Sequence, residues 1–343
     1  MLGSRDLPPL PGANWVTALL QPVPVSEFLS TYWRRHHLLC RGSSGRFTGL
    51  LSWPVFNRLL EHHWRETFRF RLAMEGRDLN PASYVDSGGT TPRVLAKALT
   101  EQLRGGATLA FNGVDELHEP LTRVAESFEA VFESGTHMNV YAGWRSVRGL
   151  DVHRDDQDIF ILQIDGRKRW QLFGLTLADI DAHSTERSAA DAGFDEILES
   201  GDLLYIPKGC YHLAVPIDEP TLHLTISVKS APKARPSFSL PWSATADALP
   251  PARTSFLIRL KLPAPQPVAE GVDATSRQWH SRGHTYRFPR AMRSLIAALA
   301  DGAPLTIQDI VSSAGEELDE GAVRVLVAML VRLDLATIVL PSA

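Results

Sequence analysis

The spacing of apolar residues changes after residue 135, and that change constrains the fold more than any other feature of the chain. Up to it, EPLTRVAESFEAVFES (119–134) places Leu121, Val124, Phe128, Val131 and Phe132 at helical intervals, with Pro120 in the first turn. Beyond it come short β-rich runs: HMNVYAG, DIFILQI, RWQLFG, DLLYIPKG, YHLAVP and TLHLTISV, separated by Gly, Asp and Pro. Short strands punctuated in this way predict an antiparallel sandwich or barrel. Helices flank it, so the class is α+β.

At the N-terminal side, residues 26 to 70 read as interrupted helix. In SEFLSTYWRRHHLL, Ser26 is the expected N-cap, and Phe28, Leu29, Tyr32 and Trp33 share a face. Adjacent histidines on a helix point apart, so Arg34 to His37 reads as a solvated basic edge rather than a metal site. Residues 232–280 are proline-rich and irregular, which predicts a linker or short dimerisation arm. From 288 three helical segments and the strand ATIVL suggest a winged-helix-like domain over 281–343. That segment holds six arginines and no lysine against seven acidic residues, whereas a DNA-reading winged helix is basic. Packing or support of a homodimer is the better reading.

The formal charge of the 343 residues is −4, which gives no support to direct nucleic-acid binding or to an anionic membrane surface. Two cysteines, Cys40 and Cys210, with no C-x-x-C, predict a reducing, cytoplasmic setting without a thiolate metal site. Neither a signal peptide nor a membrane-spanning run is evident.

The chemistry centres on DVHRDDQDIFILQIDGRKRWQLF (151–173). On a strand, residues i and i+2 point to one side, so His153 and Asp155 can reach one ion. His212, after GDLLYIPKGCY, is the second histidine that a returning strand can bring back. Two His and one carboxylate form the facial triad of non-haem Fe(II) oxygenases, which leaves coordination positions open. An isolated H-x-D is a weak signal, since such pairs usually cap turns.

The wider sequence resembles a family. HRDDQDIFILQ with GRKRW, then GDLLYIPKGCYH and LHLTIS, and upstream ATLAFNGVDELHEPL and MNVYAG, look like the JmjC-type 2-oxoglutarate oxygenases of the cupin-like ribosomal oxygenase branch. The resemblance implies a double-stranded β-helix core within a catalytic domain over 1–231. It implies that His153, Asp155 and His212 are iron ligands and that Lys168 holds the distal carboxylate of 2-oxoglutarate. By the same resemblance Asn139 and Thr225 lie near the cosubstrate, and Tyr141 and Ser227 meet the substrate. The implied activity is a dioxygenase, consuming dioxygen and hydroxylating an amino-acid side chain such as Arg or His of a ribosomal protein. Alternatives are a tailoring hydroxylase of a peptide natural product or free amino acid, and a metal-binding cupin without catalysis. Read from the residues alone, Lys168 is a surface lysine between Arg167 and Arg169, although it stands opposite both in the pleat. His223 is not used as a ligand in the family pattern, and His183, His280 and His284 sit in loop-like contexts. Asp158 is assigned a supporting role only. The chain departs from the family in AGWRSVRGLDV after MNVY and in Tyr211 before the second histidine. Trp144 could close over a peptide, and Arg145 could pair with a free amino acid's carboxylate.

Overall fold

The computed structural model describes residues 15–174, 193–229, 249, 256–261, 266–267, 276–281, 284–289, 291–300, 302–314 and 318–339. Two compact units make up the chain, one built on Val16–Ala125 and Thr136–Ser230, the other on Glu126–Gly135 and Ala231–Ala343.

The first unit contains an antiparallel sheet of eight strands. Its order is Leu38–Cys40, Leu203–Ile206, Asp158–Asp165, Thr221–Val228, Thr136–Gly143, Thr108–Asn112, Phe70–Met74 and Arg77–Asp78. A smaller sheet pairs Phe194–Leu198 and His212–Pro216 on either side of Lys168–Leu172. Apolar side chains from both sheets, Ile159, Ile161, Leu204 and Ile206 from the large one and Trp170 and Leu172 from the small one, form one buried cluster. The two packed sheets agree with the sandwich or barrel expected from the strand punctuation and with the double-stranded β-helix that the resemblance implied.

The strand Asp158–Asp165 is buried on both faces along almost its whole length, which is why it reads as a continuous apolar run rather than an alternating one. Its outward side chains meet the N-terminal segment: the Phe28 ring lies 5.6 Å from Phe160 and 4.8 Å from Tyr205. Asp158 ties the same segment down. Its carboxylate is buried and accepts from Tyr205 Oη at 2.7 Å, Arg34 Nε at 3.2 Å and Lys208 N at 3.2 Å. Arg34 to His37 is otherwise an exposed edge, as expected.

Local helix details differ from expectation. Ser26 is not the N-cap. The helix is Val25–Glu27, its cap is the extended Pro24, and a π-turn, Phe28–Tyr32, follows at once. That turn buries Phe28 but leaves Leu29 38% exposed, so the four apolar residues do not share one buried face. The helix at 119–134 is present as Glu119–Phe132.

In the second unit the helices Met292–Ala298, Ile307–Ala314 and Glu320–Arg332 pack around Phe288, Leu295, Ile310 and Val327. The closing strand Ala336–Val339 pairs with Leu257–Leu260. That partner lies inside 232–280, the stretch expected to be irregular. Gln266–Pro267 and Ser276–Ser281 are also strands, the latter paired with His284–Pro289. These strands are short and set among prolines, so neither length nor alternation announces them. His280 and His284 accordingly stand in strands rather than loops, and His183 falls outside the described residues. Among the described residues no helix is long and apolar enough to cross a membrane.

One glycine sets the register that matters for the site. Gly166 turns the chain from Asp158–Asp165 into Lys168–Leu172 at φ +65°, and a Cβ there would meet the Pro220 carbonyl oxygen at 2.0 Å. Gly166→Ala therefore meets both left-handed strain and backbone overlap. It is expected to lower unfolding free energy by more than about 1 kcal/mol, read by chemical denaturation.

Candidate metal centre and anion cavity

His153 and His212 are joined by a short antiparallel bridge. His212 N donates to the His153 carbonyl at 2.8 Å, and His153 N donates to the His212 carbonyl at 3.2 Å. The turn before His212 is pinned to the same region, because Gly209 N donates to the Asp155 carbonyl at 2.9 Å. These main-chain bonds bring the two ends of the motif together. One ligand atom from each of His153, Asp155 and His212 lies within 4.8 Å of the others, and His212 Nε2 is 3.8 Å from Asp155 Oδ2.

Both imidazoles are oriented by their own neighbourhood. His153 Nδ1 donates to the Asp151 carbonyl at 2.8 Å, and His212 Nδ1 donates to the Cys210 carbonyl at 3.0 Å. That tautomer leaves each Nε2 with a lone pair, as a metal ligand requires. His212 is almost wholly buried, and burial, reinforced by the neighbouring His153, lowers its pKa to about 4. It is thus neutral at pH 7. Two imidazoles and one carboxylate suit a divalent first-row metal such as Fe(II).

The triad lines a cavity of about 330 Å³, a volume suited to a small organic ligand. Lys168, Thr225, Tyr141, Trp170 and His223 line it too. The pleat delivers them: in Thr136–Gly143 burial alternates, with Met138 and Val140 turned into the core and Asn139 and Tyr141 to the opposite face. Lys168 is only 4% exposed, while Arg169 beside it is exposed and pairs with Asp195. No carboxylate pairs with Lys168 among the described residues. Its Nζ lies 5.9 Å from the centre of the Trp170 ring, and burial lowers its pKa to about 7. An ammonium so placed, without a protein counter-ion, makes the cavity a receptor for an anion.

The remaining expected residues divide. Asn139 is not among the lining residues; it accepts from Gly113 N at 3.1 Å and hydrogen-bonds Tyr141. Ser227 is buried two positions beyond Thr225, opposite His137 and Ile159, and does not line the cavity. Arg145 is exposed and lies 3.6 Å from Asp218, away from the lining, because the loop that carries it runs over the surface. Trp144 packs against Trp53, ring centres 5.5 Å apart. His223, Trp170 and Arg71 are lining residues that the motifs did not single out. The available signal for His223 was its i, i+2 spacing to Thr225.

With this geometry in view, residues 116–235 match the family model of the JmjC domain. The chain is 29% identical over 224 residues to a bifunctional lysine-specific demethylase and histidyl-hydroxylase NO66 of Drosophila grimshawi, covering 62% of this chain and 30% of that protein. It is 28% identical over 227 residues to ribosomal oxygenase 2 of Rattus norvegicus, covering 63% and 47%. The chain thus spans about a third to a half of the length of these relatives. Its fold is similar to that of YcfD, a ribosomal oxygenase from Escherichia coli, at a TM-score of 0.53 and 17% identity, over 92% of this chain and 98% of that one. The same E. coli protein has a structure in complex with cobalt and 2-oxoglutarate, at a TM-score of 0.52.

The geometry fixes the expected behaviour of two variants. His212→Ala should weaken Mn(II) binding by at least about a hundredfold in calorimetry, while circular dichroism shows an intact fold. For Lys168 the sign is set by the proton. An anion favours the ammonium, whereas without one the ammonium deprotonates above about pH 7. Binding above that pH therefore takes up a proton, and affinity for a small dicarboxylate should fall as pH rises, by up to about tenfold per unit. Lys168→Ala should flatten this dependence and weaken binding at pH 6 by on the order of thirtyfold.

Proposed function

We propose, because residues 116–235 match the family model of the JmjC domain, that the chain is an Fe(II)- and 2-oxoglutarate-dependent dioxygenase that hydroxylates an amino-acid side chain in a protein or peptide. The observation that carries this reading is a single cavity holding both a His-Asp-His cluster and a buried lysine without a protein counter-ion. The cobalt and 2-oxoglutarate in the E. coli relative's structure support the same pairing of metal and oxo acid.

In this reading His153, Asp155 and His212 would hold the iron, each through one ligand atom. When bound, the metal supplies the redox chemistry by which 2-oxoglutarate and O₂ become succinate and CO₂, with one oxygen atom entering a substrate C–H bond. The protein's residues do the rest by placement. Lys168 donates to the far carboxylate. Thr225 lines the same wall, and Asn139 steadies Tyr141. Tyr141, its hydroxyl kept protonated by burial and by the Asp155 charge, offers a ring and a donor to the incoming side chain.

A ribosomal-protein side chain is the proposed substrate, supported by the names of the relatives. The pairing of Arg145 with Asp218 at the surface weakens the case for a free amino acid, whose carboxylate would need that guanidinium inside the cavity. A cytoplasmic site of action fits the two buried free cysteines.

The test is oxygen incorporation from ¹⁸O₂ into a panel of ribosomal-protein peptides, precursor peptides and free amino acids, read by mass spectrometry beside succinate release. Peptide turnover is expected, lost on chelation of the metal and in Asp155→Ala. Turnover of free amino acids alone, unaffected by Tyr141→Ala, would overturn the substrate reading.

A further inference from the structure

His223 is 2% exposed and lines the cavity, yet it belongs to no metal cluster among the described residues. Its Nδ1 is fully buried and has no hydrogen-bond partner among those residues. Nδ1 is shut off from the cavity, so a bound group can meet this ring only at Nε2.

The ring is also fixed in place. It stacks on Tyr141 with centres 4.9 Å apart and planes 6° from parallel, and it meets Trp170 edge-on at 5.5 Å. The main chain reinforces this, since His223 lies directly opposite Tyr141 in the sheet. Two aromatic rings therefore hold the imidazole in place in the cavity wall.

We propose that His223 is a second hydrogen-bonding group for the anion that Lys168 holds, so that a dicarboxylic 2-oxo acid is gripped at its far carboxylate by an ammonium and an imidazole together. The inference rests on the function proposed above and adds a binding residue to it. Burial and the Lys168 charge both keep His223 neutral. A neutral imidazole has one N–H to donate, so it adds a contact to the carboxylate without placing a second cation beside the first. With Nδ1 enclosed by protein, Nε2 is the nitrogen left to meet the ligand.

The experiment measures equilibrium binding of 2-oxoglutarate and of succinate to the Mn(II)-loaded full chain. His223→Phe keeps the ring and its stacking but removes both nitrogens; His223→Gln keeps a donor. Phe should weaken binding of both acids about tenfold or more, while Gln stays within about threefold of the parent. Mn(II) affinity should be unchanged in both, which a general structural defect would not allow. Parent-like binding by His223→Phe overturns the proposal while leaving the dioxygenase reading intact. Failure of the parent protein to bind 2-oxoglutarate removes that reading itself. Should His223→Phe not fold, ring ¹⁵N resonances of the Zn(II)-loaded parent decide. A non-liganded imidazole signal that moves with succinate supports the contact, and unchanged signals for every imidazole outside the triad overturn it.

Discussion

Pairing of the strand Thr221–Val228 along both its edges is the constraint on which the site depends. It is matched residue for residue with Thr136–Gly143 on one side and, apart from one irregularity between Leu222 and His223, with Asp158–Asp165 on the other. Side chains alternate along a strand, so a slip of one residue would send His223 and Thr225 to the outer face and bring Leu222 and Leu224 into the cavity. Apolar packing prevents that slip, because Leu222, Leu224 and Ile226 are wholly buried. The polar wall of the cavity is thus held by the hydrophobic residues behind it.

Electrostatics inside that wall follows from desolvation. A buried lysine with no carboxylate is unfavourable by itself, and the fold tolerates it where a ligand supplies the charge. The metal end has the complementary arrangement: the Asp155 carboxylate, partly exposed, beside two imidazoles, of which His212 is held neutral by burial. Opposite demands, a cation for an anion and an anion for a cation, therefore meet within one cavity.

Much of this was legible in the residues. Strand punctuation after 135 implied a sandwich or barrel, because that signal is local and periodic; the H-x-D spacing was weak alone, and it took the surrounding family-like motifs to single out His153, Asp155 and His212, which the fold brings together. Lys168 was ambiguous on pattern alone, since only burial separates it from the arginines on either side. The roles of Arg34 and Asp158 were hidden, because their pairing spans 124 residues and joins an exposed edge to a buried strand. His223 was set aside because the motif has no use for it as a ligand, and its unmet hydrogen bond exists only once the fold encloses it. Strands within 232–280 escaped notice since each is too short to alternate visibly among prolines. Local propensity also misled at Ser26, which lies inside the short helix while Pro24 takes the cap position.

The two imidazoles of the candidate metal centre are each tethered to a carbonyl two residues earlier in the chain, at Asp151 and at Cys210. A metal-binding histidine oriented by a carboxylate side chain loses its aim when that side chain is replaced. Here the orienting acceptors are peptide groups, which every amino acid possesses. Substitution at 151 or 210 leaves the acceptor in place so long as the backbone keeps its path. The aim of the two imidazoles accordingly rests on the path of the main chain at 151 and 210, even though Cys210 is itself packed in the core and Asp151 pairs with Arg148.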